Sequence, residues 1–342
     1  AVGGTSGKST TTAMIWHILN KKHLDPSVIN GAYINSLISD KLLGNAYLGK
    51  GNIAVIEADE SDASIIKYKP YIGVLLNISK DHKEINELKK IFNKFLKNSQ
   101  IIVVNKDDEN AYEVSLNFKN VVYYTKKDIN IIKTSLYKTI FEFENKKYEI
   151  PLAGMHNVIN ALSAAITTST FGISIEEGLR MLEDFSGIFR RMNIVGKHKN
   201  ITVIDDYAHN PSKITALINT LKENSNRFIL IHQPHGFYPT KFLKNELIEV
   251  FRNVRKDDIV IIPEIYYAGG SVKKDISSKD LVDELKKDGI NAFYFEKRDE
   301  ISNYLAQIKN LSDYDIIASS GARDPTLSDF AKEIYHKLKV LI

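Results

Sequence analysis

The sequence predicts an α/β protein. A first domain, built on a glycine-rich phosphate-type loop and a parallel sheet, precedes a C-terminal Rossmann-like, doubly wound α/β domain. Three observations lead there. Residues 3–10, Gly-Gly-Thr-Ser-Gly-Lys-Ser-Thr, run straight into an apolar helical pattern. The apolar runs at 53–58, 71–78 and 100–105 are continuous rather than alternating, as strands buried on both faces read. From about residue 188 a strand-then-helix pattern repeats five times, and parallel strands need such crossover helices.

In order along the chain, residues 88–96 have helical spacing, and residues 139–150 alternate around Glu144-Asn145-Lys146, which predicts a hairpin. A helix follows over 157–171, closed by Gly172, and another over 174–185, where Ser174 and Glu177 form a capping box. In the second half, strands are expected at 201–205, 228–232, 259–263, 292–295 and 315–319. Helices are expected to start near Asn210, Thr240, Ser277, Lys297 and Asp324. Asn210-Pro211 and Asp324-Pro325 each read as an N-cap followed by proline at the first helical position. The two domains are expected to join within 186–195, giving 1–187 and 188–342.

Composition narrows the function. Lysine plus arginine number 46 against 42 acidic residues, and a net +4 over 342 residues argues for neither a nucleic-acid nor a membrane surface. The absence of cysteine excludes a disulfide framework, a thiolate zinc site and a cysteine nucleophile, and fits a cytoplasmic protein. Residues 150–175 carry no Asp, Glu, Lys or Arg, a length that could span a bilayer. His156, Asn157, Asn160 and a Ser/Thr run would be costly in hydrocarbon, so this stretch reads as a loop and a buried soluble helix. The first residues show no signal-peptide pattern.

The chemistry starts at Gly4-Thr5-Ser6-Gly7-Lys8-Ser9-Thr10. Glycines let backbone N–H groups approach phosphate oxygens, Lys8 supplies positive charge to the terminal phosphates, and the Ser9 hydroxyl can ligate Mg²⁺. Val2 stands where the strict pattern has glycine, so this is the GTxGK[ST] variant of the nucleoside-triphosphate loop. A second ligand set is expected at the end of a later strand. Glu57-Ala58-Asp59-Glu60-Ser61-Asp62 supplies four carboxylates there, and the next strand ends in Asn77-Ile78-Ser79-Lys80-Asp81-His82.

With these segments joined by NKDD (105–108), GMHNVINALSAA (154–165), FSGIFRRMNIVG (185–196), IDDYAHNP (204–211) and QPH (233–235), the chain resembles the Mur ligase family. Within it, the branch that joins L-alanine to UDP-N-acetylmuramate is most similar. The resemblance implies a central ATP-binding (ATPase) domain and a C-terminal domain. It also implies a reaction in which ATP phosphorylates a carboxylate and an amine attacks the acyl phosphate, releasing ADP and phosphate.

Site roles follow from the resemblance, residue by residue. Lys8 would hold the β- and γ-phosphates, Ser9 one Mg²⁺, and Glu57 and His82 a second. His156 and Asn157 match nucleotide-contacting positions, or form an ordinary polar helix start, and Asn160 lies one turn on. Arg191 matches an arginine that contacts ATP phosphate, and Asp206 the aspartate that takes the ribose hydroxyls. His209 and His235 fall on substrate-side positions.

Three departures stand out. After His235 the chain reads Gly-Phe-Tyr-Pro-Thr where that branch has Arg-x-x-Arg. The last strand ends in Ser-Gly-Ala-Arg323, and Arg323 either partly replaces the lost cation at a helix N-terminus or simply packs the turn or faces water. Lys83-Glu84-Ile85 replaces the usual Met-Asp after His82, and no carbamylated lysine can be assigned. The expected ligands are ATP and Mg²⁺, and the expected substrates a UDP-sugar carboxylate and an amino acid. Oligomeric state is not legible. The alternatives are a murein-peptide recycling ligase, a folylpolyglutamate synthase-like enzyme and a non-catalytic nucleotide-binding subunit. Only Ala1-Val2 precede the glycines, so the first strand is expected to be cut short, and the resemblance implies an N-terminal UDP-binding domain upstream.

Overall fold

The computed structural model describes residues 1–80, 83–269, 271–308 and 310–341. The chain forms two compact units, Ala1–Phe189 and Arg190–Ile342.

Unit 1 opens with β1 (Val2–Gly3), the glycine loop and α1 (Lys8–Lys21). β2 (Ser27–Ile29), β3 (Ala46–Tyr47) and β4 (Ala54–Ile56) follow, then β5 (Ile72–Leu75), α2 (Ile85–Lys97), β6 (Ile101–Asn105), α3 (Glu109–Ser115) and β7 (Val121–Tyr124). β8 (Ile129–Thr134), β9 (Thr139–Phe143) and β10 (Lys146–Ile150) precede α4 (Met155–Ser169) and α5 (Ile175–Met181).

The parallel sheet runs β1-β5-β6-β7. A smaller sheet, β3-β2-β4, joins it through a parallel bridge between Val2 and Glu57, with Ala58 N donating to Val2 O at 2.9 Å. That bridge sets the end of β4 beside the start of the glycine loop. The expected strands at 53–58, 71–78 and 100–105 are present and parallel; β5 is buried along its length and β6 at its centre, whereas β4 exposes Ala54. α1 is buried at consecutive positions from Ser9 to Trp16, so it lies inside the unit and packs against α4. The uncharged stretch at 150–175 contains α4, and among the described residues no helix is long and apolar enough to cross a membrane.

The hairpin turns at Glu144 and Asn145, with φ of 50° and 59°, which is the two-residue geometry that matches strand twist. β8 adds a third strand to it, with a register shift between Ile131 and Lys133. The predicted Ser174–Glu177 capping box is formed.

Unit 2 contains β11 (Asn193–His198), β12 (Ile201–Asp206), α6 (Pro211–Asn224), β13 (Phe228–Gln233), α7 (Phe237–Phe242), α8 (Lys244–Arg252) and β14 (Ile259–Pro263). α9 (Ser278–Lys287), β15 (Ala292–Phe295), α10 (Asp299–Gln307), β16 (Ile316–Gly321) and α11 (Leu327–Leu341) complete it. The sheet order is β11-β12-β16-β13-β14-β15. All pairs are parallel except the edge strand β11, which returns antiparallel along β12. β13, β14 and β16 are buried at every position, and β13 and β16 carry buried polar residues only toward their C-terminal ends.

Two predicted helix starts move. The helix expected at Thr240 begins at Phe237, and Thr240 Oγ1 donates back to Gly236 O at 2.8 Å from inside it. The Asp324-Pro325 start is also wrong, since α11 begins at Leu327. Asp324 spends its carboxylate on Thr326, whose N and Oγ1 donate to Oδ1 at 2.9 and 2.7 Å, and on Arg298. This makes a tight turn ahead of the helix. Asn210, by contrast, caps α6 as expected, accepting from Lys213 N at 3.0 Å.

Candidate nucleotide site

In unit 1 the glycine loop closes against the end of β5. Gly4 has φ 139°, and a Cβ there would lie 3.1 Å from Leu76 Cβ and 3.2 Å from Asn77 N. Gly7 has φ 85°, and a Cβ there would meet Asn160 Oδ1 at 2.7 Å. Both positions are therefore closed to a side chain.

Asn77 ties the loop down. Its backbone O accepts from Thr5 N at 3.1 Å. Its Oδ1 accepts from Ser6 N at 2.8 Å and Thr5 Oγ1 at 2.8 Å, and its Nδ2 donates to Ser6 O at 2.9 Å. Ser79 N donates to Thr5 Oγ1 at 2.9 Å. Gly7 brings no side chain to cap α1, so the first amides of that helix form an anion-binding end.

Lys8 folds back over the loop. Its Nζ donates to Gly4 O at 2.8 Å and to Glu60 Oε2 at 2.8 Å. Glu60 is 3% exposed, and burial pushes its carboxyl up while the Lys8 charge pulls it down. Ser9 and Thr10 are buried in the first turn. This lysine-over-glycine arrangement fits a polyphosphate, which would replace Glu60 as the counter-charge.

Glu57 does not meet Lys8. Its Oε2 accepts from Gly31 N at 2.6 Å, so the two glutamates of one acidic cluster serve different partners. His82 lies outside the described residues. Among the described residues no group of three or more His, Asp or Glu is poised to hold a metal. In α4, Asn157 is buried with Nδ2 on Ala153 O at 2.8 Å, Asn160 is buried against Gly7, and His156 is exposed.

The NKDD segment braces the same region. Asp108 caps α3 through Ala111 N at 2.8 Å and accepts Ile78 N at 3.2 Å, and burial raises its pKa.

In unit 2 the C-terminal ends of β12, β16 and β13 lie side by side, where open α/β sheets bind ligands. Asp206 accepts from Met192 N at 2.6 Å and Ala208 N at 2.7 Å. His209 Nδ1 donates to Tyr207 O at 2.9 Å, which leaves Nε2 as the acceptor. Burial, then the charges of Lys213, His235 and Arg191, push His209 down to about 3, so its imidazole is neutral. Its ring meets His235 edge-on at 5.4 Å. His232, wholly buried, pairs with Ser320 Oγ at 2.9 Å and is likewise pushed down to about 3.

The Arg190-Arg191 pair divides. Arg190 is 7% exposed and donates through Nε to both Asp205 oxygens at 3.0 and 3.3 Å. Arg191 is half-buried, and its charge reaches His209. Arg323 is exposed at φ 61°, four residues ahead of α11, which corrects its expected place at a helix N-terminus. Sequence reasoning missed Glu60, Asn77 and Arg190 as holders of the site. Glu60 and Asn77 stood inside motifs already singled out, and Arg190 differs from its neighbour only by burial.

A glycine loop running into the uncapped end of a helix, with a lysine folded across it, is the arrangement of a nucleotide-binding protein. A family model described as "Mur ligase middle domain" matches residues 2–168, and one described as "Mur ligase, glutamate ligase domain" matches residues 190–323. The chain belongs to the Mur ligase family, whose members are ATP-dependent amino-acid ligases of peptidoglycan precursor synthesis.

It is 36% identical to the UDP-N-acetylmuramate–L-alanine ligase of Caldicellulosiruptor saccharolyticus over 344 residues, covering 95% of this chain and 73% of that protein. It is 34% identical to the same-named ligase of Acetivibrio thermocellus, covering 95% and 71%. The crystal structure of UDP-N-acetylmuramate-alanine ligase from Thermotoga maritima superposes with a TM-score of 0.77 at 26% identity, over 99% of this chain and 75% of that one. The chain thus spans about three-quarters of the length of these relatives.

Proposed function

We propose that this ligase activates the carboxylate of a UDP-N-acetylmuramate-type acceptor and joins it to an amino acid, L-alanine being the leading candidate. A carboxylate oxygen attacks the γ-phosphorus of ATP and ADP leaves. The amine nitrogen then attacks the acyl-phosphate carbon, phosphate leaves, and the amine gives up a proton as the amide forms. The reading is supported most by the Lys8-over-Gly4 geometry in a chain 36% identical to a muramate–alanine ligase. Lys8 would exchange Glu60 for the β- and γ-phosphates. With Thr5 N and Ser6 N already held by Asn77, the uncapped first turn of α1 after Gly7 would hold the remaining phosphate charge.

Ser9 would offer a hydroxyl to one Mg²⁺, and Glu57 and His82 a carboxylate and an imidazole to a second, and ions held there would screen the repulsion between acceptor carboxylate and polyphosphate. Asn160, packed on Gly7, would fix the loop, with His156 and Asn157 toward the nucleotide. In unit 2 we carry the phosphate role to Arg191 and the ribose role to Asp206. Neutral His209, with His235 beside it, would accept a hydrogen bond from an incoming ammonium group, and exposed Arg323 would meet its carboxylate. Neither substrate is a nucleic acid or a lipid, and we place the reaction in the cytoplasm.

The test is ADP release by the full-length protein across acceptors and amino acids. Turnover that requires both UDP-N-acetylmuramate and L-alanine supports the reading. Turnover with a different pair reassigns the substrates, in keeping with the missing Arg-x-x-Arg after His235. No turnover with any pair overturns it.

A further inference from the structure

We infer that Arg190 is a positioning residue, which sets Arg191 and Asp206 for the nucleotide by pinning the start of unit 2 to two strand ends. The inference deepens the proposed function and rests on it. Arg190 is a long cation with almost no exposure, and its whole guanidinium is occupied. Nε serves Asp205 at the end of β12 at 3.0 Å. Nη2 donates to Gly321 O at 2.9 Å, at the end of β16, and Nη1 to Asp324 O at 3.4 Å, in the turn that follows it. One planar fork thereby ties the two adjacent strand ends to residue 190, a match that lysine's single ammonium cannot reproduce.

Two residues later the chain is tied again, by Met192 N on Asp206 Oδ2 at 2.6 Å. Arg190 and Met192 both sit in the left-handed region, with φ of 57° and 48°. Non-glycine residues adopt that conformation at a cost unless the surroundings hold them there, and such strain collects at functional sites. Arg191 lies between the two ties. Its direction is therefore set by Arg190 on one side and Asp206 on the other, and Asp206 is itself next in sequence to the partner of Arg190. Burial lifts Asp205 to about 6 against the pull of Arg190, so the ion pair does not fully offset the cost of burying it, and a pair kept only for stability would serve as well without the left-handed backbone.

The experiment uses full-length Arg190→Lys, Asp205→Asn, Asp206→Asn and the Arg190→Lys/Asp206→Asn double variant. ADP-release kinetics and thermal unfolding are measured on each. The inference predicts that Arg190→Lys folds and raises KM for ATP by about tenfold with a much smaller change in KM for the amino acid. It also predicts that Arg190→Lys and Asp206→Asn combine to less than the product of their separate effects, because they act through one segment. A KM for ATP within twofold of wild type, or strictly multiplicative effects, would overturn it. Failure of both Arg190→Lys and Asp205→Asn to fold would overturn it too, marking the pair as structural alone. A wild-type protein that releases no ADP with any substrate pair would instead sink the proposed function.

Discussion

The two units build their candidate sites from different material. In unit 1 the site is made of backbone: glycines at positive φ, a loop strapped by Asn77, and the open end of α1. Lys8 and its buried partner Glu60 supply the charged side chains. In unit 2 the corresponding strand ends are organised by buried side chains, with Arg190 on Asp205 and two histidines held neutral by burial. A backbone-built site depends on residues that cannot be enlarged. A side-chain-built site depends on charge states, and so on pH.

Substitution at Lys8 should break the comparison hardest. Lys8→Ala removes the cation from the loop and leaves Glu60 buried without its partner. A fall in kcat of at least about 100-fold is expected, and a stability loss of about 3–5 kcal/mol. Adding Glu60→Gln should restore much of the stability and none of the rate. Unfolding curves together with ADP release separate the two effects.

The pH response should single out unit 2. His232 is pushed down to about 3 when folded but is free to protonate near 6.5 when unfolded. At this histidine the unfolded state therefore binds more protons between those values, so its contribution to stability is full above about 6.5 and is lost as pH falls, while Asp205, pushed up to about 6 by burial, acts in the opposite direction. His232 alone contributes a loss of about 2 kcal/mol between pH 6.5 and 5, with His209 acting in the same direction. Urea unfolding at the two pH values should show it, and His232→Gln should flatten the slope. A flat wild-type profile would remove the distinction between the units.

Gly7→Ala sharpens the backbone side. The new methyl would lie 2.7 Å from Asn160 Oδ1 at an unfavourable φ of 85°, so a cost of about 1–3 kcal/mol is expected. Calorimetry should find ATP binding weakened by about tenfold or more, and Asn160→Ala in the same chain should relieve part of the loss. Smallest is Ser174→Ala, which opens the capping box on α5. It should cost about 1 kcal/mol of stability and leave turnover alone.

What was legible in the sequence follows the same division. The glycine loop, the buried parallel strands and the Glu144-Asn145 hairpin were readable because each depends on a short local pattern. β2 and β3 were not, because they are two or three residues long, and β8 and β11 were not, because each pairs with the next strand through a register shift that breaks the alternating pattern. The acidic cluster after β4 was visible, but its division of labour was not. Glu57 and Glu60 differ only in which way the chain turns, and Glu60 alone is carried to Lys8. Arg190 and Arg191 are the same problem, since two identical side chains in sequence become one buried strap and one half-buried cation. The α11 start was misread because Asp324 has two competing partners, Arg298 and Thr326, that no local rule reveals.

The account stands or falls on one measurement: ADP released by the full-length protein with ATP, Mg²⁺, UDP-N-acetylmuramate and L-alanine, each omitted in turn. The account predicts turnover that collapses when any one is left out and that Lys8→Ala abolishes. ADP formed at the same rate without an acceptor carboxylate, or undiminished in Lys8→Ala, would contradict it.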